Sequence, residues 1–265
     1  MISNKHSYRY EHIESKNGLF DNYVDMSYIL TMENSTRRNN YMGQLLQYNP
    51  HKHVTIQHNT GFKHCNKQLY NQNTVHDIND AYYHVFLHAK SHNYNNIIIF
   101  EDDFFFDNVE KADVHEIGMF ITNNNYHIYN LGPALDISMP YTFKHHQSVF
   151  TTSAQGVIYN VKYFDFFIKI YNKGFNMMYD IVWNSVDVLK FRYYKPICFQ
   201  LYEMTENIKN WGFSNVAIFF IKLLNLDKSH YPGWHVLNML SYVITIIVLY
   251  ILYYLMNRLE LLFGK

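Results

Sequence analysis

From residue 229 to residue 257 the chain carries no Asp, Glu, Lys or Arg across 29 positions. Inside that run, residues 237–255 are interrupted only by Asn238, Ser241 and Thr245. A helix over those 19 residues is roughly 28 Å long at about 1.5 Å per residue, close to the hydrocarbon thickness of a bilayer. A buried core helix is the alternative, but core helices rarely stay uncharged for so long. The sequence therefore predicts a membrane anchor over residues 235–257, with Trp234, Tyr242, Tyr250, Tyr253 and Tyr254 as interfacial aromatics. Just upstream, residues 213–226 (FSNVAIFFIKLLNL) put Ser214, Asn215, Lys222 and Asn225 in one helical quadrant and leave a broad apolar face. Residues 212–228 are expected to form an amphipathic helix, lying in the membrane surface or docked on the domain. Flanking charges leave the orientation open, since Lys222 and Lys228 precede the span while Arg258 and Lys265 follow it. The N-terminal stretch MISNKHSYRYEHIESKNG lacks the apolar region of a signal peptide. A single-pass tail anchor with the bulk of the chain in the cytosol is the expected topology.

No internal repeat or Pro/Gly/Ser-rich linker divides the remainder, so residues 23–211 read as one domain behind an N-terminal extension, residues 1–22. Residues 23–32 (YVDMSYILTM) and 53–57 (HVTIQ) read as strands, and residues 38–48 have helical spacing. Residues 77–89 place Ile78, Tyr82, Val85, Phe86 and Ala89 on one helical face. Residues 96–100 (NIIIF) form a continuous apolar run of the kind found in a central strand buried on both faces. Further strands are expected at residues 126–131 and 156–159. Strands alternating with helices imply an α/β fold with a mostly parallel sheet, whose ligands bind beyond the carboxyl ends of the strands. Lys+Arg and Asp+Glu both total 22, so no overall excess of charge calls for nucleic acid. Cys65 and Cys198, the only cysteines, exclude a disulfide scaffold and a Cys-rich zinc site.

The NIIIF run ends in three consecutive acids, Glu101, Asp102 and Asp103. Three like charges at the end of a buried strand repel one another, and a bound hard cation relieves that repulsion. Mg²⁺ typically takes one or two protein carboxylates and completes its shell with water and phosphate oxygens. The run therefore suggests a site for a metal and a nucleotide phosphate, while an exposed acidic turn before Phe104–Phe106 is the plainer alternative.

Taken in order, these segments resemble glycosyltransferase family 25, the family of bacterial lipooligosaccharide transferases and collagen galactosyltransferases, in the form found in large DNA viruses. The likeness rests on Tyr28-Ile29-Leu30-Thr31-Met32 followed by Arg38 and Met42, on IIIFEDD at residues 97–103, on AQGVIY at 154–159, on Tyr179-Asp180, and on PICFQ at 196–200 followed by Thr205-Glu206-Asn207. It covers residues 23–211. Two departures stand out: Thr31 occupies a position where the family usually has Asn, and Asp77 begins a helix whose usual Cys-x-x-Ser-His start is missing. The resemblance implies a GT-A-like nucleotide-binding domain that moves a hexose from a nucleotide-sugar, most plausibly a UDP-sugar, to a hydroxyl of a glycan or protein acceptor. It implies Mn²⁺ or Mg²⁺ held by Asp103 with Asp102, and Glu101, Asp102, Arg38, Gln200, Glu206 and Asn207 around the donor. Asp180 becomes the candidate catalytic base, because an acceptor hydroxyl needs a proton acceptor within hydrogen-bond reach. Acceptor choice falls to residues 131–148 and 172–187, read as loops around the pocket.

Two other function classes stay open on the same acids: a metal-dependent nucleotidyl or phosphoryl enzyme, and a non-catalytic transferase fold acting as a membrane scaffold. No GxSxG elbow, Walker A loop, GxGxxG fingerprint or HExxH motif occurs. The 16 histidines, including His51, His53, His145 and His146, show no four-ligand pattern and read as scattered surface or loop residues.

Overall fold

The computed structural model describes residues 7–175, 177–201, 214–225 and 233–263. Its centre is a nine-stranded sheet in the order β1-β3-β2-β4-β9-β6-β10-β8-β7. The strands are β1 (Tyr8–Glu14), β2 (Met26–Met32), β3 (His53–Asn59), β4 (Asn96–Glu101), β6 (Ile128–Asn130), β7 (Asp136–Pro140), β8 (His145–Thr151), β9 (Gly156–Asn160) and β10 (Lys190–Tyr193). A separate two-stranded ribbon pairs β5 (Phe104–Phe106) with β11 (Cys198–Gln200). Strands β2, β3, β4, β6, β7 and β10 run one way, and β1, β8 and β9 run the other. The direction expected from the sequence thus predominates, but the sheet is mixed, with β9 inserted antiparallel between β4 and β6.

Strand β4 explains the layering. Its residues alternate between two cores: Ile98 and Phe100 enter one, Ile97 and Ile99 the other. A strand buried on both faces must be continuously apolar, which is what NIIIF supplies. On the first face lie α1 (Arg38–Tyr48), through Tyr41 and Leu45, and α3 (Lys111–Asn123), through Val114, Ile117 and Phe120. On the second lie α2 (Thr74–Ser91), α4 (Val161–Tyr171) and the single turn α5 (Tyr179–Val182), joined by an aromatic cluster of Tyr82, Phe86, Tyr159, Tyr163, Phe167 and Tyr179. Helix α2 starts at Asn73, whose side chain accepts the His76 N–H, and carries Lys90 in its last turn, a cation that complements the helix dipole.

Three expectations are corrected. Part of the expected N-terminal extension is the sheet's edge strand β1, paired residue for residue with β3. Residues 131–148, expected as a loop, largely form the β7–β8 hairpin. Several histidines are core residues rather than surface ones: His51, His58, His76, His145 and His146 are buried, and Tyr129 Oη lies 2.7 Å from His145 Nδ1.

Beyond the sheet, α6 (Ser214–Leu223) exposes Val216, Phe219, Phe220 and Leu223. Helix α7 (Gly233–Phe263) contains a stretch, Gly233–Arg258, that is long and apolar enough to cross a membrane, and 11% of it is buried.

Candidate active site

Strand β4 ends on Glu101 and passes the chain through Asp102 and Asp103 into β5. The parallel register sets Leu30 of β2 against Glu101, so Thr31 arrives beside Asp102. Thr31 Oγ1 donates to Asp102 Oδ2 at 2.7 Å, and Ser35 Oγ donates to the same oxygen at 2.6 Å. Arg37 Nη1 donates to Asp102 Oδ1 at 3.0 Å and lies 3.4 Å from Asp103 Oδ2. Both Asp102 oxygens are therefore committed inside the chain. The ribbon pairing sets Gln200 opposite Phe104, from where its Nε2 donates to Asp103 Oδ2 at 3.0 Å. The other Asp103 oxygen, Oδ1, is buried without a hydrogen-bond partner among the described residues.

The opposite wall comes from the second core. Tyr82 of α2 donates its hydroxyl to Glu101 Oε1 at 3.1 Å, and its ring stacks on Tyr179 at a centroid distance of 3.6 Å. Asp180 follows Tyr179, and its Oδ2 accepts the Ser153 N–H at 3.4 Å. Ser153 holds a left-handed backbone, φ 79°, which costs a non-glycine residue on the order of 1 kcal/mol. Its carbonyl is gripped by Asn130 Nδ2 at 3.1 Å, and Asn184 exchanges two bonds with Thr151 at 2.9 and 3.1 Å. The carboxyl ends of β2, β4 and β6 and the amino end of β9 thus meet at one place, where the sheet changes from parallel to antiparallel. The strand order also reverses here, since β2 leads to β3 on one side and the chain returns to β4 on the other, and ligands of open α/β sheets bind at such reversals.

Burial pushes the Glu101 carboxyl well above its ordinary range, and the neighbouring Asp103 charge adds to it. Burial also raises Asp103, with Gln200 and Arg37 opposing and Asp102 reinforcing. Asp180 is raised by burial, against backbone hydrogen bonds led by that of Ser153. Of the cations among the described residues, Arg37 is the one in contact with these acids. A site so rich in buried carboxylate takes up protons or a cation.

Of the residues singled out by sequence, Glu101, Asp102, Asp103 and Gln200 come together, and Asp180 stands on the same rim. Arg38 does not: it makes a two-pronged ion pair with Glu11 of β1, at 3.0 and 2.7 Å, on the exposed edge of the sheet. Its neighbour Arg37 reaches the acids instead, because one residue of helix start separates opposite directions. Glu206 and Asn207 lie outside the described residues. Ser35 and Arg37 are not legible as site residues, since the segment ENSTRR offers hydroxyls and guanidiniums without saying which face the strand end, and Tyr82 reads as a residue of the apolar face of α2.

Among the described residues no group of three or more His, Cys, Asp or Glu side chains is arranged to hold a metal ion. A Mg²⁺-type site needs fewer protein ligands than that. The unpartnered Asp103 oxygen suits one such bond, whereas the Asp102 oxygens are already engaged.

No protein-family model matches the chain, and no curated protein matches it. Among solved structures it is similar to the crystal structure of A197 from STIV, at 11% sequence identity and a TM-score of 0.42, over 67% of this chain and 85% of that one.

Proposed function

We propose that the chain is a membrane-anchored glycosyltransferase that moves a hexose from a nucleotide-sugar, a UDP-sugar foremost, to a hydroxyl of a glycan or protein acceptor. The observation that carries this reading is Asp103: a buried carboxylate with an unpartnered oxygen, beside Glu101, at the carboxyl end of a central strand where the sheet switches direction. In this reading Asp103 is the protein's bond to Mn²⁺ or Mg²⁺, and Asp102, tied to Thr31, Ser35 and Arg37, fixes the turn that presents it. The metal would offset the charge that develops on the departing diphosphate. Gln200 and Glu101 line the donor side, with Tyr82 holding Glu101 in place.

Asp180 takes the acceptor proton. The acceptor oxygen bonds to the sugar's anomeric carbon, the bond from that carbon to the diphosphate oxygen breaks, and the O–H proton moves to the Asp180 carboxylate. Burial raises Asp180 and so makes it a better proton acceptor than an exposed aspartate. The free Asp103 oxygen and the three neighbouring acids also suit a nucleotidyl or phosphoryl enzyme, and the products separate the classes. Full-length protein in detergent, incubated with UDP-sugars and Mn²⁺, is expected to release UDP with free hexose or glycoside, and Asp180→Asn is expected to stop release. Pyrophosphate or phosphate as product would move the assignment to the other enzyme class, and no product from folded protein would favour the scaffold.

A further inference from the structure

Helix α7 packs on the domain itself. Two of the three polar residues that interrupt its apolar run, Asn238 and Ser241, face the sheet. Arg192 Nη1 donates to Asn238 Oδ1 at 2.9 Å, and Asn238 Nδ2 donates to the Tyr194 carbonyl at 2.9 Å. Ser241 Oγ, in a residue 1% exposed, lies 2.8 Å from His146 Nδ1. The first turns of α7 therefore pack across β10, β8 and the edge strand β7. Beyond Thr245 every residue from Ile246 to Arg258 is exposed. The uncharged free stretch, residues 246–257, is 12 residues, or roughly 18 Å of helix against about 30 Å of hydrocarbon. Either the docked turns enter the bilayer as well, or the free turns stay within one leaflet. Both geometries put the β7–β8 edge at the lipid boundary.

The hairpin is patterned to suit that place. Asp136, Ser138, His146 and Ser148 are buried in the polar layer that meets α7. Ile137 and Val149 are exposed instead, as are Tyr141 and Phe143 at the tip, the latter 95% exposed. A hairpin of a water-facing domain carries the opposite pattern, with polar residues outward. Scattered exposed apolar residues need no explanation, but a group on one hairpin beside an apolar helix does.

We propose that the β7–β8 hairpin is a second membrane contact, with Ile137, Tyr141, Phe143 and Val149 inserted in the interface of a lipid bilayer beside α7. The domain is then held at two points, so its orientation to the membrane is fixed. This rests on α7 being a membrane helix, and the test separates the two. Full-length protein with Cys65→Ser, whose remaining Cys198 is buried, would carry one added cysteine: Phe143→Cys, Val149→Cys, Ile251→Cys in α7, or Leu46→Cys, 88% exposed on α1. Each is labelled with an environment-sensitive fluorophore and reconstituted into phosphatidylcholine vesicles containing lipids spin-labelled near the headgroup or deep in the chain. The labels at 143 and 149 are expected to be quenched by the shallow spin label at least about twice as strongly as the label at 46. The Val149 site reads the hairpin with Phe143 intact. Quenching at 251 with none at 143 or 149 overturns the proposal and leaves the anchor standing; no quenching at any of the three overturns both. An apolar signal at 143 that is indifferent to spin-labelled lipid but rises with protein density would assign the hairpin to a second copy and overturn the lipid contact.

Discussion

Replacing Asp136 with Ala should be among the most damaging single changes outside the aromatic cores. Arg192 Nε and Asp136 Oδ2 are 2.6 Å apart with both side chains at most 1% exposed. Ser148 Oγ donates to the other carboxylate oxygen at 2.5 Å, and Arg192 also reaches Ser138, the Tyr193 carbonyl and Asn238. Removing the carboxylate strands a guanidinium in a dry layer, with neutral acceptors alone to hold it. Breaking a buried pair in this way costs about 3–5 kcal/mol. At about 2–4 °C per kcal/mol for a domain of this size, the midpoint of thermal unfolding falls by roughly 6–20 °C. Fluorescence of the buried Trp183 in detergent-solubilised full-length protein reports the transition. The double change Arg192→Met with Asp136→Leu should cost much less than Asp136→Ala, because it removes both charges together. A loss below about 1 kcal/mol for Asp136→Ala, or a double variant worse than the single, would refute the claim that this layer is desolvated and clamps α7.

Arg37→Leu should destabilise the metal-free protein by about 2–4 kcal/mol, since Asp102 and Asp103 lose their contacting cation. Arg38→Leu should change stability by less than about 1 kcal/mol, because its pair with Glu11 is exposed; thermal unfolding of the two variants side by side decides between the neighbours. Burial lowers His145 and His146 to about 4, so the unfolded chain binds more protons than the folded one between the two values. Each should cost up to about 1.4 kcal/mol per pH unit as pH falls from about 6.5 toward 4, a loss that a pH series of unfolding midpoints would show and His145→Gln would reduce. Gly132→Ala should prevent folding or cost more than about 3 kcal/mol, because its Cβ would lie 1.6 Å from the Cys198 carbonyl oxygen. Gly43→Ala, in α1 with nothing within 4 Å, should instead stabilise by about 0.5–1 kcal/mol.

Parts of this structure were legible because local chemistry left few options. Ile97 to Phe100 offer no polar position to turn toward water, so the run reads as a strand between two layers, and α1 begins and ends where its spacing says. The acids at the end of that strand were legible for the same reason, and Gln200 joined them through the ribbon. The β7–β8 hairpin was hidden because its buried side is polar, complementary to Arg192 of β10 and Ser241 of α7 rather than to an apolar core. Strand β1 was hidden in a polar N-terminal segment whose partner, β3, lies far along the chain, with Tyr8 opposite Asn59 and Glu14 opposite His53. Arg37 and Arg38 are equivalent as sequence; the fold at the start of α1 separates the one that meets Asp102 from the one that meets Glu11.

Calorimetric titration of UDP into the full-length protein in detergent, with Mn²⁺ and again with the metal chelated, bears most directly on the acid cluster. Metal-dependent binding that vanishes in Asp103→Asn and survives in Arg38→Leu is the expected result. Equal binding with and without metal, or undiminished binding in a folded Asp103→Asn variant, would contradict it.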